Sequence, residues 1–521
     1  MAGKQRNKAP RGEQASPAQM CDVERSAARA DGDVQDNHGQ GSIESRKIGI
    51  PGAVSLILNK RIGTGIFSTP SGILALTGSV GISIILWLIG GVITFAELSV
   101  YLEYGLAIPR SGEEKNYLER VYWRPRYLAS CVLTSQMILL GFSSGNALAG
   151  IGIACISFAV LVHSLLPKSG LRLVSFLEVA KVATLLFIVF SGFATLAGRR
   201  LVLDPKKSDG AFAIEDGDGY GNGGAYGYAT ALLWVVYSYK GWENANYVAG
   251  ELKTPQRTLA IAAPLAVGGV TVLYVLANVA YFAAIAKSDL AKSEAIVAGL
   301  FFRNVFGTSA GVRSLPVFVA LSNMCNVLAV SFAHARLNQG LAREGLLPFS
   351  RFWASSRPMN APAASLFLHW LVTVIVLVAP PAGPAYNFIV DLYTYPGAWI
   401  NLLVAAGLVY LHLKESEKWW SPWHTYLPGV MFFLASNVFL AILPFVPPTG
   451  SWDANGYTYY VFPVVGLGVL FLGGIYWAVW TRVLPAIGGY QVVAERTASN
   501  NGSEVRYVKI SGKNGPHATD R

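Results

Sequence analysis

From residue 48 onward the chain alternates long apolar runs with short polar connections. Twelve runs can be marked: 48–76, 79–104, 127–146, 150–166, 173–197, 225–250, 261–286, 312–337, 361–379, 386–410, 424–446 and 459–481. Most hold the ~20 residues a helix needs to cross a hydrocarbon core of about 30 Å, and the fourth is short. Lipid offers no partner to an unpaired backbone group, so runs of this length predict helices. The pattern predicts an all-α polytopic membrane protein over residues 47–482, with polar tails at 1–46 and 483–521. The first tail is rich in Gly, Ala, Asp, Gln and Arg and has no apolar periodicity, the composition of a disordered cytoplasmic arm. Met1 to Arg29 holds no apolar core of a secretory leader. The second tail also reads as unfolded and cytoplasmic.

Composition agrees with the pattern: of 521 residues, 53% are hydrophobic and only 14% charged. The net charge of +11 would suggest nucleic acid in a soluble chain. Here it reflects Lys and Arg gathered in the connections, as in cytoplasmic loops of membrane proteins. With the N-terminus inside, the inner connections from Arg110 to Lys418 hold fifteen Lys and Arg, and the outer ones, from Arg199 to Arg303, hold seven. Both termini are therefore expected in the cytoplasm. Cys21 lies in the tail and Cys131, Cys155 and Cys325 in apolar runs without ligand spacing, so no disulfide framework, metal site or cofactor is implied. No HExxH, DxxD or similar cluster marks a membrane enzyme.

Two runs are interrupted. In Ile62-Gly63-Thr64-Gly65-Ile66-Phe67 two glycines flank a hydroxyl residue within the first run, which predicts a helix break with free backbone N–H groups. At the start of the second half-helix, the N–H groups of Gly63, Thr64 and Gly65 sit at a positive dipole end suited to a carboxylate. The sixth run breaks similarly at Tyr237-Ser238-Tyr239-Lys240-Gly241-Trp242, where carbonyls of Tyr237, Ser238 and Lys240 can accept an ammonium. Breaks five segments apart fit two inverted repeats of five helices. The two complementary ends describe an α-amino acid.

At these residues the chain resembles the amino acid/polyamine/organocation permeases, within them the L-type amino-acid transporters, and most of all the fungal high-affinity methionine permeases. Besides both breaks, the resemblance rests on three further stretches. The first is Phe95-Ala96-Glu97-Leu98 with Ile108-Pro109-Arg110-Ser111-Gly112-Glu113. The second is Asn246-Tyr247-Val248 with Glu251-Leu252-Lys253-Thr254-Pro255. The third is Ala335-Arg336-Leu337 with Ala342-Arg343-Glu344-Gly345-Leu346-Leu347-Pro348. The resemblance implies a five-plus-five inverted repeat (LeuT-like) with two extra helices. It also implies secondary active import of neutral L-amino acids, methionine above others, across the plasma membrane by alternating access. Carried over by residue, the backbone of Thr64 and Gly65 binds the carboxylate. Tyr237, Ser238, Lys240 and the Arg61 carbonyl surround the amine, with Tyr237 as an aromatic gate.

Lys181 matches a fifth-helix lysine of proton-coupled relatives. A lysine in low dielectric is costly when charged, which suits gain and loss of a proton in a cycle; a static pair with Glu178 is the simpler reading. Asn323 and Asn326 either line the cavity or bond between helices, and Glu97 is expected to brace the cytoplasmic side. Trp399, Trp419, Trp420, Trp423, Trp477 and Trp480 are expected as interface anchors, and His334, His369 and His412 as isolated structural histidines. The cysteine through which animal relatives join a glycoprotein subunit is absent, so no such partner is expected.

Two departures stand out. Lys60, Arg61 and Lys240 put charge beside an amine pocket, so Arg61 and Lys240 are assigned through their backbones only. Between helices three and four residues are missing, and two shortened passes turning near Gly145 to Gly152 are expected. A nutrient sensor or a transport-impaired variant on the same fold is therefore the alternative reading. A sensor would carry a long folded cytoplasmic domain, and neither tail reads as folded.

Overall fold

A computed structural model describes residues 49–108, 114–140, 149–198, 224–241, 255–291, 297–307, 315–356, 361–378, 385–448, 453–454, 457–499 and 502–511. The N-terminal arm, the turn at Gly145 and the stretch from Trp242 to Thr254 lie outside these residues. The first run forms two helices, α1 (Ile50–Arg61) and α2 (Thr64–Thr77). The latter stops at Gly78, whose φ of 64° is the left-handed cap conformation. Then come α3 (Val80–Ala107), α4 (Glu114–Val121), α5 (Leu128–Leu140), α6 (Ala149–Leu165), α7 (Pro167–Leu196), α8 (Ala225–Tyr239) and α9 (Pro255–Ala284). After these follow α10 (Val297–Phe306), α11 (Leu315–Glu344), α12 (Ala363–Val378), α13 (Ala385–Leu413), α14 (Leu427–Ile442) and α15 (Val461–Ala478).

Among the described residues, seven helices are long and apolar enough to cross a membrane. Large apolar side chains such as Val92, Phe176, Val179, Phe190 and Phe471 stand exposed on them, a surface that suits hydrocarbon. The helices α7, α9 and α11 run past their apolar runs into polar residues. Hydropathy marks the lipid boundary, not the helix end.

Glycines set how closely the spans approach. A Cβ on Gly227 would lie 2.8 Å from the Leu76 carbonyl, one on Gly72 1.9 Å from the Trp234 ring, and one on Gly65 2.6 Å from the Ser238 hydroxyl. Rising residue numbers on α2 meet falling numbers on α8, so the first and sixth spans pack antiparallel along their length. The second and seventh do the same: Gly91 of α3 meets Thr271 of α9, and Phe95 meets Gly268. These are the inverted pairings that a five-plus-five repeat calls for.

The shortened region forms two passes, as expected. Ser130, near the start of α5, bonds Glu119 and lies beside Tyr507. On the same face the Ser365 hydroxyl, at the start of α12, donates to the Trp353 carbonyl. Further along α12, Trp370 donates to Ser157 at 2.9 Å and Leu377 meets Gly152, so α6 runs back toward the face that α5 leaves. The 13 residues of α5 span about 20 Å at the helical rise, less than the hydrocarbon thickness.

The C-terminal tail corrects the expectation. Strands β1 (Tyr490–Ser499) and β2 (Gly502–Ser511) pair antiparallel, and the hairpin docks on the helices. Tyr507 is buried among Tyr127 and Trp480, and its hydroxyl donates to Glu119 at 3.1 Å. Burial and the Glu119 charge push that phenol well above its usual range, which keeps the donor protonated. The β-forming residues Val505, Tyr507, Val508 and Ile510, set among charged Arg506 and Lys509, are the strand signal; it escapes a search for membrane-length runs. A two-stranded hairpin is still no long folded domain. Trp480 is correspondingly a buried packing residue, while Trp420 is 59% exposed, as an anchor would be. The helix α4 was also missed: its Tyr117 stacks on Tyr104 and its Lys115 pairs with Glu344.

Candidate functional site

The first break is where the glycines place it. Ile62 closes α1 through its N–H to Leu58 at 3.0 Å, Gly63 is extended, and α2 begins at Thr64 without a side-chain cap. The first N–H groups of α2 thus lack intrahelical acceptors and form a positive end. The Thr64 side chain lies outside the described residues. A Cβ on Gly63 would lie 3.0 Å from the Asn326 amide of α11, so that amide would have to give way by a few tenths of an ångström. The Arg61 carbonyl accepts the Tyr274 hydroxyl of α9, so one of its lone pairs is already engaged.

The second break faces the first. Helix α8 ends at Tyr239, Lys240 is extended and Gly241 takes φ 127°, a conformation that L side chains rarely adopt. The Ser238 hydroxyl lies 3.1 Å from that of Thr69 and donates to the Trp234 carbonyl at 2.9 Å. The Lys240 N–H donates to the Tyr237 carbonyl at 3.2 Å. Tyr237 stands edge-on to Tyr393 of α13. The structure therefore brings Arg61, Gly63, Gly65, Ser238 and Asn326 to one junction, with Tyr237 and Lys240 beside it.

Both basic side chains rest on aromatic rings. The Lys240 ammonium is 5.0 Å from the Tyr393 centroid, and the Arg61 guanidinium 5.4 Å from that of Tyr239. Ring quadrupoles stabilise such cations.

Lys181 is 1% exposed and faces Cys325 of α11, with Glu178 nearby on its own helix. Cys325 precedes Asn326, the residue against Gly63, so Lys181 and the first break both pack on the same stretch of α11. Asn323 and Asn326 each carry a buried carbonyl oxygen with no hydrogen-bond partner among the described residues. Glu97 accepts the Asn401 amide at 2.9 Å, and Asn401 accepts the Tyr101 hydroxyl at 2.7 Å, a brace between α3 and α13.

Asp391 was missed. It is fully buried on α13 and accepts the Trp234 indole N–H at 2.5 Å, one turn of α8 before Ser238. An acid within an apolar run is the signal that finds it. Hydrogen bonds to charged groups contribute about 1.5–3 kcal/mol. Trp234→Phe is therefore expected to lower the melting temperature of the detergent-solubilised protein clearly, while Trp420→Phe leaves it unchanged; equal melting of all three would remove the anchoring role.

Comparison with known proteins gives the same picture. The family model described as "Amino acid permease" matches residues 48–150 and 129–472, and the two stretches overlap across α5, where the chain is shortened. The high-affinity methionine permease of Saccharomyces cerevisiae is 37% identical over 492 residues, covering 89% of this chain and 84% of its own. The low-affinity methionine permease of the same yeast is 27% identical over 88% of this chain and 87% of its own. The human large neutral amino acids transporter small subunit 2 is 30% identical over 73% and 72%. Among solved structures, MHP1, a nucleobase-cation-symport-1 family transporter in a closed conformation with bromovinylhydantoin bound, covers 86% of this chain and 96% of that one. Its TM-score is 0.46 and its identity 15%. A broken first span facing the sixth, in a membrane protein matched by this family model over more than half its length, has one place: this chain belongs to the amino acid permease family.

Proposed function

We propose that this chain imports neutral L-amino acids, methionine foremost, by alternating access across the plasma membrane, coupled to protons, with both termini cytoplasmic. The observation that carries the reading is the junction of the two breaks at Gly65 and Ser238. The N–H groups of Thr64 and Gly65 hold the substrate carboxylate at the dipole end of α2. The carbonyls of Tyr237, Ser238 and Lys240 and the remaining lone pair of Arg61 receive the ammonium. Tyr237 covers the site, the Asn326 amide flanks it, and Lys181 exchanges the coupled proton. Methionine is favoured by the two yeast relatives, and the neutral class by the human one.

The test is uptake of labelled methionine into cells lacking their own permeases. Saturable uptake is expected, reduced by excess unlabelled neutral L-amino acids and unchanged by aspartate or lysine. The short α5 favours one other reading, a transport-impaired variant. Absence of uptake from protein shown to reach the cell surface would select it.

A further inference from the structure

We propose that Glu103, His412 and His424 form a divalent transition-metal site, with zinc as the fitting ion, where the ends of α3 and α13 meet the connection to α14. The Glu103 carboxylate is fully buried. Its Oε1 accepts the Trp419 indole N–H at 2.9 Å and lies 2.6 Å from His412 Nε2, while its Oε2 accepts the Thr425 backbone N–H at 2.8 Å. His424 Nδ1 stands 3.7 Å from the same Oε1, and the three ligand-type atoms lie within 4.8 Å of one another.

The bond to Glu103 accounts for His412 but not for the second imidazole. The His424 side chain is 68% exposed, where an ion pair contributes little. Yet it sits 4.8 Å from the His412 ring, centroid to centroid, with its Nδ1 toward the carboxylate. Two imidazoles and a carboxylate are a zinc set with one position left for water. Tetrahedral bonds of ~2.0 Å place ligand atoms roughly 3.3 Å apart, so His412 has to retreat from the carboxylate by less than 1 Å, His424 to close on it by a few tenths, and the two imidazole nitrogens, within 4.8 Å of each other, to approach by up to about 1.5 Å, a swing open to the exposed His424 side chain. On binding, His412 turns its Nε2 lone pair to the metal and carries a proton on Nδ1 alone. The bonds from Trp419 and Thr425 hold the carboxylate in place, as outer partners of metal ligands do. Two cations on neighbouring elements are directed elsewhere: Arg120 and Lys414 both pair with Glu417. A metal here fastens α3 to α13, whose Tyr393 stands under Lys240.

The full chain, purified in detergent through a histidine-free tag and stripped with a chelator, is titrated with zinc chloride by calorimetry. Melting is followed with and without zinc. One zinc per chain is expected, with a rise in melting temperature. His424→Ala and His412→Ala should each weaken binding at least tenfold and remove that rise, while the tail variant His38→Ala/His517→Ala behaves as native. His424 is exposed, so its loss leaves the fold intact. Failure of the folded native chain to take up zinc, binding indifferent to His424→Ala and His412→Ala, or binding lost in the tail variant would each overturn the proposal.

Discussion

Gly65→Ala is expected to reduce methionine uptake at least tenfold while leaving the amount of protein at the cell surface within about twofold. The added Cβ would lie 2.6 Å from the Ser238 hydroxyl and 2.8 Å from the Ser238 Cα. The hydroxyl can rotate away, but the Cα cannot, so α2 and α8 must separate or tilt. Overpacking of this kind costs about 1–3 kcal/mol, which a protein of this size can absorb in stability. The proposed site cannot absorb it, because the N–H groups assigned to the carboxylate and the carbonyls assigned to the ammonium lie on the two helices that are pushed apart. Ser238→Gly in the Gly65→Ala background should recover only part of the uptake, since the backbone contact remains. Ser238→Ala alone, which removes the hydroxyl's contacts with Thr69 and the Trp234 carbonyl but adds no bulk, should cost less than Gly65→Ala. Near-native uptake by Gly65→Ala, normalised to surface protein, would show that the α2–α8 junction is not the substrate site.

Lys181→Ala should abolish the stimulation of uptake by acidic medium and prevent accumulation against a gradient, while counterflow exchange of methionine persists. An ammonium buried in the membrane interior carries a desolvation cost of several kcal/mol unless paired. Lys181 faces the thiol side chain of Cys325 and has Glu178 nearby, so its environment differs sharply between its charged and neutral forms. Its partner Cys325 adjoins Asn326 on α11, which links that difference to the helix break proposed to bind substrate. Glu178→Gln separates coupling from a static pair. Under coupling, the glutamine variant keeps an acid-stimulated component that Lys181→Ala lacks. An unchanged ratio of acidic to neutral uptake in Lys181→Ala would leave the lysine with a structural role alone.

The architecture was legible in the sequence because its determinants are local. Twelve apolar runs follow from the lipid requirement that each segment satisfy its own backbone, and the break at Gly63 follows from glycines within such a run. The docked hairpin at Tyr490–Ser511 was missed although its β-forming residues are equally local, since it is too short to register as a span.

What the tertiary structure decided is which helix faces meet. That Gly63 is pressed by Asn326, Gly65 by Ser238 and Gly72 by Trp234 depends on the register of antiparallel helices, and register depends on packing over their full length. The same holds for charged and polar pairs. Asp391 finds Trp234 from 157 residues away, and Glu103 finds His412 from 309. No spacing rule relates residues so distant in the chain, so His412 could be read only as isolated. The sequence by itself determined a twelve-span permease with a broken first helix, because hydrophobic length and glycine placement are properties of a single segment. Only the tertiary structure determined what surrounds the break and which buried charges are held, because those depend on close packing between segments.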